Sequence, residues 1–384
     1  MAGKAVVILG GGIGGLVAAN LLQNKLKDEA DISLIDKKEV FEFPPSYPWV
    51  MLGERKPEQA QRPLSSLKRK GIRVVGGEVS KIDLEAHKVE VGAATLSYDY
   101  LIIALGAQYA PAAIPGFVDY SHHIYDLASA VRLQKALAAF AGGVVAVGVS
   151  SLPFKCPAAP YETALLIDHQ LRARGLTNKV RIRFFTPEGI PLPSAGPDIG
   201  NRALELLKSR DIEATFKTKL KDVRPGEAIF DDGSAISFDL LVAVPPHTCP
   251  PVVREAGLTD ESGWVPVDPT TMRTKLSNVY AIGDVTAIPT PSGFVPYLPK
   301  AGVFAHGHAE VVANNIAVEI KGRGKARAWD GGGSCFLMTG GAQAAFVKGT
   351  WFTTPRPVVK FSPPSRTSYM QRVLFEKYWM SHWF

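Results

Sequence analysis

At 384 residues, with 46% hydrophobic and 21% charged residues, the chain is long enough for two or three globular domains, and its composition excludes a disordered or fibrous protein. Three cysteines cannot build a disulfide framework, and the apolar runs are broken by Gly, Pro or Gln before the ~20 residues that a bilayer-spanning helix needs. The net charge of +7 is uneven, because Lys321 to Phe384 hold ten Lys/Arg against two acids and leave the rest of the chain slightly negative. The last 50 residues also carry 11 of the 35 aromatics. Cations mixed with aromatics suit a nucleic acid or a membrane surface. With no nucleic-acid-binding motif beside them, the reading favours a membrane and no nucleic acid. Met1 to Lys4 lead straight into a strand, so no secretory signal peptide is expected, and no metal site is expected.

In chain order, an apolar strand (Ala5 to Leu9) runs into Gly10, Gly12 and Gly15 at GxGxxG spacing, with Ile13 and Gly14 inside the turn. A helix (Leu16 to Leu26) and a second strand (Asp31 to Ile35) follow, and that strand ends on Asp36. The glycines permit a tight turn, backbone approach to a pyrophosphate and close helix–strand packing, while the acid can accept from a ribose hydroxyl. The next stretch, VFEFPPSYPWVMLGE, leaves the carboxyl edge of that sheet and is expected over a cofactor ring. Residues 72–103 read as short strands, the last ending near Gly106.

Residues 111–264 read as an inserted α/β unit that opens like a second nucleotide site, GGVVAVGVSS. There, however, Leu152 and Pro153 follow Gly148 where a pyrophosphate needs bare backbone and free amides. The expectation is a retained fold without NAD(P)H. Cys156 lies beside Lys155 near the start of a helix, and both features lower a thiol pKa. Cys335 follows a glycine run, and the two thiols are expected to form a redox pair. Cys249, in PPHTCPP, reads as structural. Glu162 is a proton-handling candidate, although an acid in a helix's first turn is equally explained by the helix dipole.

Further on, SNVYAIGDVTA puts an apolar strand before Gly283 and Asp284, and Lys300-Ala-Gly302 opens a helix over Val303 to Ile320. Two motifs some 270 residues apart, at opposite ends of one cofactor, point to FAD, with Lys300 placed to stabilise charge on its ring. Residues 368–384 read as a helix whose apolar side chains make no single clean face.

These residues together resemble the family of sulfide:quinone oxidoreductases and the flavin subunits of flavocytochrome c sulfide dehydrogenases. The resemblance runs over nearly the whole chain: Gly10 to Gly15, FPPSYPWVMLG, KCPAAPYE, AIGDV, PKAG, the SCF segment and FEKYW. It implies an α/β fold of two Rossmann-like dinucleotide-binding domains plus a C-terminal membrane-associating segment. The FAD domain is expected at 1–110 and 265–330, the degenerate second domain at 111–264, and the redox-Cys and quinone segment at 331–384. The implied cofactor-binding set is Gly10, Gly12, Ile13, Gly14, Gly15, Asp36, Lys37, Pro44, Val79, Gly106, Gly283, Asp284, Lys300 and Gly302. Phe336 and Phe346 are implied as a quinone wall. Cys156 and Cys335 would take up sulfide and pass its electrons to FAD, and a membrane quinone would reoxidise it, leaving polysulfide or elemental sulfur. The expected protein is a peripheral, monotopic membrane protein and a homo-oligomer.

Members of that family often carry a third cysteine tied to the flavin. Tyr125 stands where it would be expected, so the FAD is read as non-covalent, and His122 and His123 nearby read equally as an exposed loop pair. The alternatives are a flavin subunit passing electrons to cytochrome c, a type II NADH:quinone oxidoreductase, and a non-catalytic flavin-binding redox sensor.

Overall fold

The computed structural model describes residues 3–384. Its N-terminal part comprises Lys4–Leu9 (β1), Ile13–Leu26 (α1), Ala30–Asp36 (β2), Tyr47–Met51 (α2), Arg73–Gly76 (β3) and Tyr100–Ile103 (β4). There follow Ser121–His122 (β5), Leu127–Ala139 (α3), Gly143–Val149 (β6), Ala159–Ala173 (α4), Val180–Thr186 (β7), Glu213–Phe216 (β8) and Leu240–Val244 (β9). The chain returns through Val279–Ala281 (β10) and Gly302–Lys321 (α5), and ends in Gly332–Gly340 (β11), Gln343–Thr350 (β12), Val358–Ser365 (β13) and Arg366–His382 (α6).

Two five-stranded sheets result, ordered β10-β4-β1-β2-β3 and β5-β9-β6-β7-β8. Every pairing within them is parallel. Parallel strands covered on both faces must be apolar nearly throughout, and Val6–Leu9 and Leu240–Val244 are buried without a break. These are Rossmann-like units, with helices crossing over each sheet. In the first, α1 can lie tightly between sheet and α5 because its contact positions are small: a Cβ on Gly14 would stand 3.1 Å from Ile282 Cδ1, and one on Gly15 only 1.8 Å from the Gly10 carbonyl.

The third layer is the antiparallel sheet β11-β12-β13, in which Cys335 faces Val347 and Phe336 faces Phe346. Over it lies α6, a helix built inside out. Ser368, Arg372, Glu376, Trp379 and Met380 are buried against the body. Met370, Leu374, Phe375 and Tyr378 are exposed, the middle pair at 60% and 42%. The apolar residues divide between two faces, one anchoring the helix and one facing out. On the anchoring side Trp379 stacks on Phe41 at 5.1 Å and on Phe43 at 4.7 Å between ring centres.

That stacking changes the reading of the loop after Asp36. Its aromatics are packed into the body: Phe41 and Phe43 against α6, and Tyr47 and Val50 against Leu127 and Ala130 of α3. Trp49 is fully buried. They seat the C-terminal helix instead of standing open above the glycine turn. No helix among the described residues is long and apolar enough to cross a membrane.

Candidate active site

The glycine turn is tight because Gly10 holds φ +100°, donates 2.7 Å to the Ile35 carbonyl and would clash with the Ala104 carbonyl if it carried a Cβ. At Gly12 a Cβ would meet nothing within 4 Å, so the surface there is bare backbone facing open space. No side chain caps α1, and its first turn holds no acid, so its leading amides are free for an anion. Asp36 closes the turn from the side: one carboxylate oxygen accepts from Gly11 N at 2.6 Å and the other from Lys38 N at 2.7 Å. Lys37 points away and pairs with Glu78 on the surface. Val79 is buried at the start of a strand against Val91, and Gly106 holds φ +66° with open space beside it. Pro44 opens a short 3-10 turn ahead of α2.

The far end of the cradle is made by Gly283, Asp284, Lys300 and α5. Gly283 holds φ +73° and Gly302 sits so close that a Cβ would stand 2.6 Å from Ile13 Cδ1, which brings the starts of α1 and α5 together. Among the described residues the buried Asp284 Oδ1 atom has no hydrogen-bond partner. An orphaned carboxylate oxygen in a polar cleft calls for a hydroxyl from outside the chain. That orphan, the bare Gly12 and the uncapped α1 fit an extended dinucleotide, and FAD is the cofactor they would hold.

The Lys300 ammonium donates to the Asp284 and Thr286 carbonyls at 2.8 and 3.0 Å and stands 3.4 Å from the centre of the Trp264 ring. Burial pulls its pKa down to about 8, opposed by Asp284 and Cys249. Two of its three N–H donors are thus engaged within the chain, and its backbone meets the Cys156 turn: Lys300 O accepts from Cys156 N at 2.7 Å.

Both thiols are free. Cys156, at φ +55°, sits in the turn that opens α4, while Cys335 comes from β11 and is exposed to solvent. The expected low thiol pKa is not what the surroundings produce. Burial pushes the Cys156 thiol far up, with Glu162 adding to it, and the charge of Glu162 also raises the exposed Cys335 thiol. Lys155 does not offset this, because its ammonium lies 4.9 Å over the Tyr109 ring. Arg372 acts in the thiolate's favour at both sites.

Arg372 was not legible as a site residue. Glu162, in the first turn of α4, accepts from Met338 N at 2.8 Å and from Arg372 Nη1 at 2.9 Å, and both side chains of that ion pair are 7% exposed. Burial raises the Glu162 pKa while Arg372 and Met338 N oppose the rise. Phe336 and Phe346 stand 4.9 Å apart, and Phe375 of α6 joins them at 6.5 Å from Phe336. Tyr125 is buried with its hydroxyl donating to the Lys155 carbonyl. His123 is likewise buried beside Ser129, not exposed, and burial lowers its pKa to about 4.

Leu152 and Pro153 follow β6, and the acid beyond β7, Glu188, is buried beneath Tyr161 and Thr186.

Comparison with known proteins agrees with this architecture. The model of the pyridine nucleotide-disulphide oxidoreductase family matches residues 4–309. The mitochondrial sulfide:quinone oxidoreductase of Mus musculus is 26% identical over 350 residues, covering 87% of this chain and 75% of its own. The sulfide-quinone reductase of Aquifex aeolicus is 29% identical over 337 residues, covering 83% and 77% respectively. The crystal structure of the Aquifex aeolicus sulfide:quinone oxidoreductase superposes with a TM-score of 0.88 at 27% identity, over 98% of this chain and 90% of that one. With the family model spanning the glycine turn, both parallel sheets and the start of α5, the chain belongs to the pyridine nucleotide-disulphide oxidoreductase family.

Proposed function

We propose that this chain is an FAD-dependent sulfide:quinone oxidoreductase, attached peripherally to a membrane through α6. The observation that carries the reading is the convergence of the Cys156 and Cys335 segments: they come from separate layers, yet Glu162 at the start of the Cys156 helix accepts from Met338 N of the Cys335 strand, Arg372 bonds both Glu162 and the Phe336 carbonyl, and the Cys156 amide is bonded to the Lys300 carbonyl at the edge of the cradle. The names and near-full coverage of the Mus musculus and Aquifex aeolicus relatives support the same substrates.

FAD, when bound, supplies a two-electron acceptor that a quinone can reoxidise. The sulfur chemistry falls to the chain. Hydrosulfide attacking a Cys156–Cys335 bridge breaks the sulfur–sulfur bond, leaves a persulfide on one cysteine and frees the other as a thiolate. Arg372 favours that thiolate electrostatically, and Glu162 is placed to hold a proton beside it. Closing the persulfide and the thiolate to a trisulfide releases two electrons, which bound FAD would accept, and each further cycle would lengthen the sulfur chain. Phe336, Phe346 and Phe375 supply an apolar wall for a quinone ring beneath α6. The exposed face of α6 favours a quinone from the membrane over a cytochrome as acceptor.

The test is anaerobic. Sulfide added to the purified holoenzyme should bleach the flavin absorbance, and a soluble quinone should restore it. Cys156→Ser and Cys335→Ser should each abolish bleaching while retaining FAD. Near-normal turnover in both variants would sink the scheme.

A further inference from the structure

Arg372 reaches inward from α6 and binds three other segments at once. Its Nη1 donates to Glu162 Oε1 at 2.9 Å and to the Phe336 carbonyl at 3.3 Å, while Nη2 donates to the Pro45 carbonyl at 2.9 Å. Its guanidinium carbon stands 5.0 Å over the Trp49 ring. Glu162 Oε1 also accepts from Met338 N, so one carboxylate oxygen joins α4 to both α6 and β11. Phe336 is the residue after Cys335, and Glu162 lies in the first turn of the helix that Cys156 precedes.

We propose that Arg372 is a positioning residue: it fixes the Cys335 strand against the Cys156 helix, so that the seating of α6 sets how closely the two thiols approach. The inference rests on the thiol-pair part of the proposed function. A planar fork suits this geometry, because two nitrogens held apart on one rigid group reach acceptors on three segments, whereas a lysine offers all its donors from a single atom. The pair is buried, so removing either partner leaves an uncompensated charge. The rest of the inner face of α6 serves the same seat: Glu376 accepts from Ser46 Oγ and from Arg55, on the far side of the Pro45 contact. No other cation among the described residues bonds Glu162.

The experiment uses reduced holoenzyme and dibromobimane, a reagent that bridges two thiols only when they lie close together, with the bridge mapped by peptide mass spectrometry. Wild type should bridge Cys156 to Cys335. Arg372→Met should slow bridging by up to about 100-fold, the scale that a misplacement near one ångström costs a proximity-dependent reaction, while single-thiol labelling by monobromobimane and FAD content stay near wild type. Arg372→Lys keeps a cation opposite Glu162, which preserves folding should the methionine variant fail, and should bridge well below wild type because the fork is gone. Full bridging in both variants, or no Cys156–Cys335 bridge in wild type, overturns the proposal. The two readings separate in one further measurement: wild type that bridges but is not bleached by sulfide ends the sulfide assignment and leaves Arg372's role standing.

Discussion

The Tyr161 hydroxyl donates to the Glu188 carboxylate at 3.1 Å, and this contact occupies the acid that a second dinucleotide would need. The pair β6–β7 repeats the parallel arrangement of β1–β2, and Glu188 lies two residues past β7 much as Asp36 ends β2. Asp36 faces the glycine turn, whereas Glu188 is buried under Tyr161 and Thr186. Neither NADH nor NADPH should therefore bleach the flavin anaerobically. Leu152→Gly should not restore bleaching, since it reopens the turn and leaves Glu188 covered. Rapid bleaching of wild type by NADH would return the type II NADH:quinone oxidoreductase reading.

The same contact gives a pH signature. Burial raises the Glu188 carboxyl to about 7, and the hydroxyls of Tyr161 and Thr186 only partly oppose it. Between the unfolded value, near 4.3, and about 7, the folded chain binds more protons at this site than the unfolded chain, so this contribution to stability falls as pH rises through that window. Above it the site costs on the order of 3 kcal/mol. Glu188→Gln keeps an acceptor for Tyr161 and removes the charge. The melting temperature of the variant relative to wild type should climb from pH 5 to pH 7.5 and then level off. A constant difference across that range would show that Glu188 does not carry a proton in the folded state.

Cys335 is exposed on β11, and the charges beside its thiol oppose each other, Glu162 raising its pKa and Arg372 lowering it. In a Cys156→Ser/Cys249→Ser background, Glu162→Gln should therefore speed alkylation of Cys335 by iodoacetamide at pH 7.5. An unchanged rate would show that Glu162 does not act on this thiol.

The glycine turn, Asp36 and the Gly283-Asp284 turn are legible in the chain because each depends on a few contiguous residues whose backbone needs are local. Period-specific apolar runs likewise announce the strands of both parallel sheets. The thiol environment is not legible, because it is set by desolvation and by a partner 210 residues from Glu162. Lys155 and the start of α4 are adjacent to Cys156 in sequence, but burial outweighs them, and Lys155 faces Tyr109. The surroundings of Lys300 are hidden for the same reason, since nothing near it in sequence reveals that its ammonium meets the Asp284 and Thr286 carbonyls and the Trp264 ring. The arginine that organises the thiols stands in a helix whose polar residues would ordinarily be read as its solvent face.

That inversion of α6 leads to the last prediction. Met370, Leu374 and Tyr378 recur every four residues along one line of the helix and are exposed, with Phe375 beside them. Exposed apolar side chains contribute little to folding, so Met370→Ser/Leu374→Ser/Tyr378→Ser should shift stability by less than about 0.5 kcal/mol per site. Against a bilayer interface the same side chains are worth roughly 1.5–3 kcal/mol each when fully buried. The triple variant should therefore lose co-sedimentation with anionic phospholipid vesicles by well over an order of magnitude while keeping its FAD and its melting temperature. Trp379→Ala is the contrasting control: it empties the stack on Phe41 and Phe43 and should cost about 3–5 kcal/mol of stability. Wild-type binding should weaken but persist as salt is raised, because the cations of the last 64 residues are screened and the apolar stripe is not. Vesicle binding unchanged in the triple variant, or abolished by salt alone, would mean that charge and not the outward face of α6 brings the chain to the membrane.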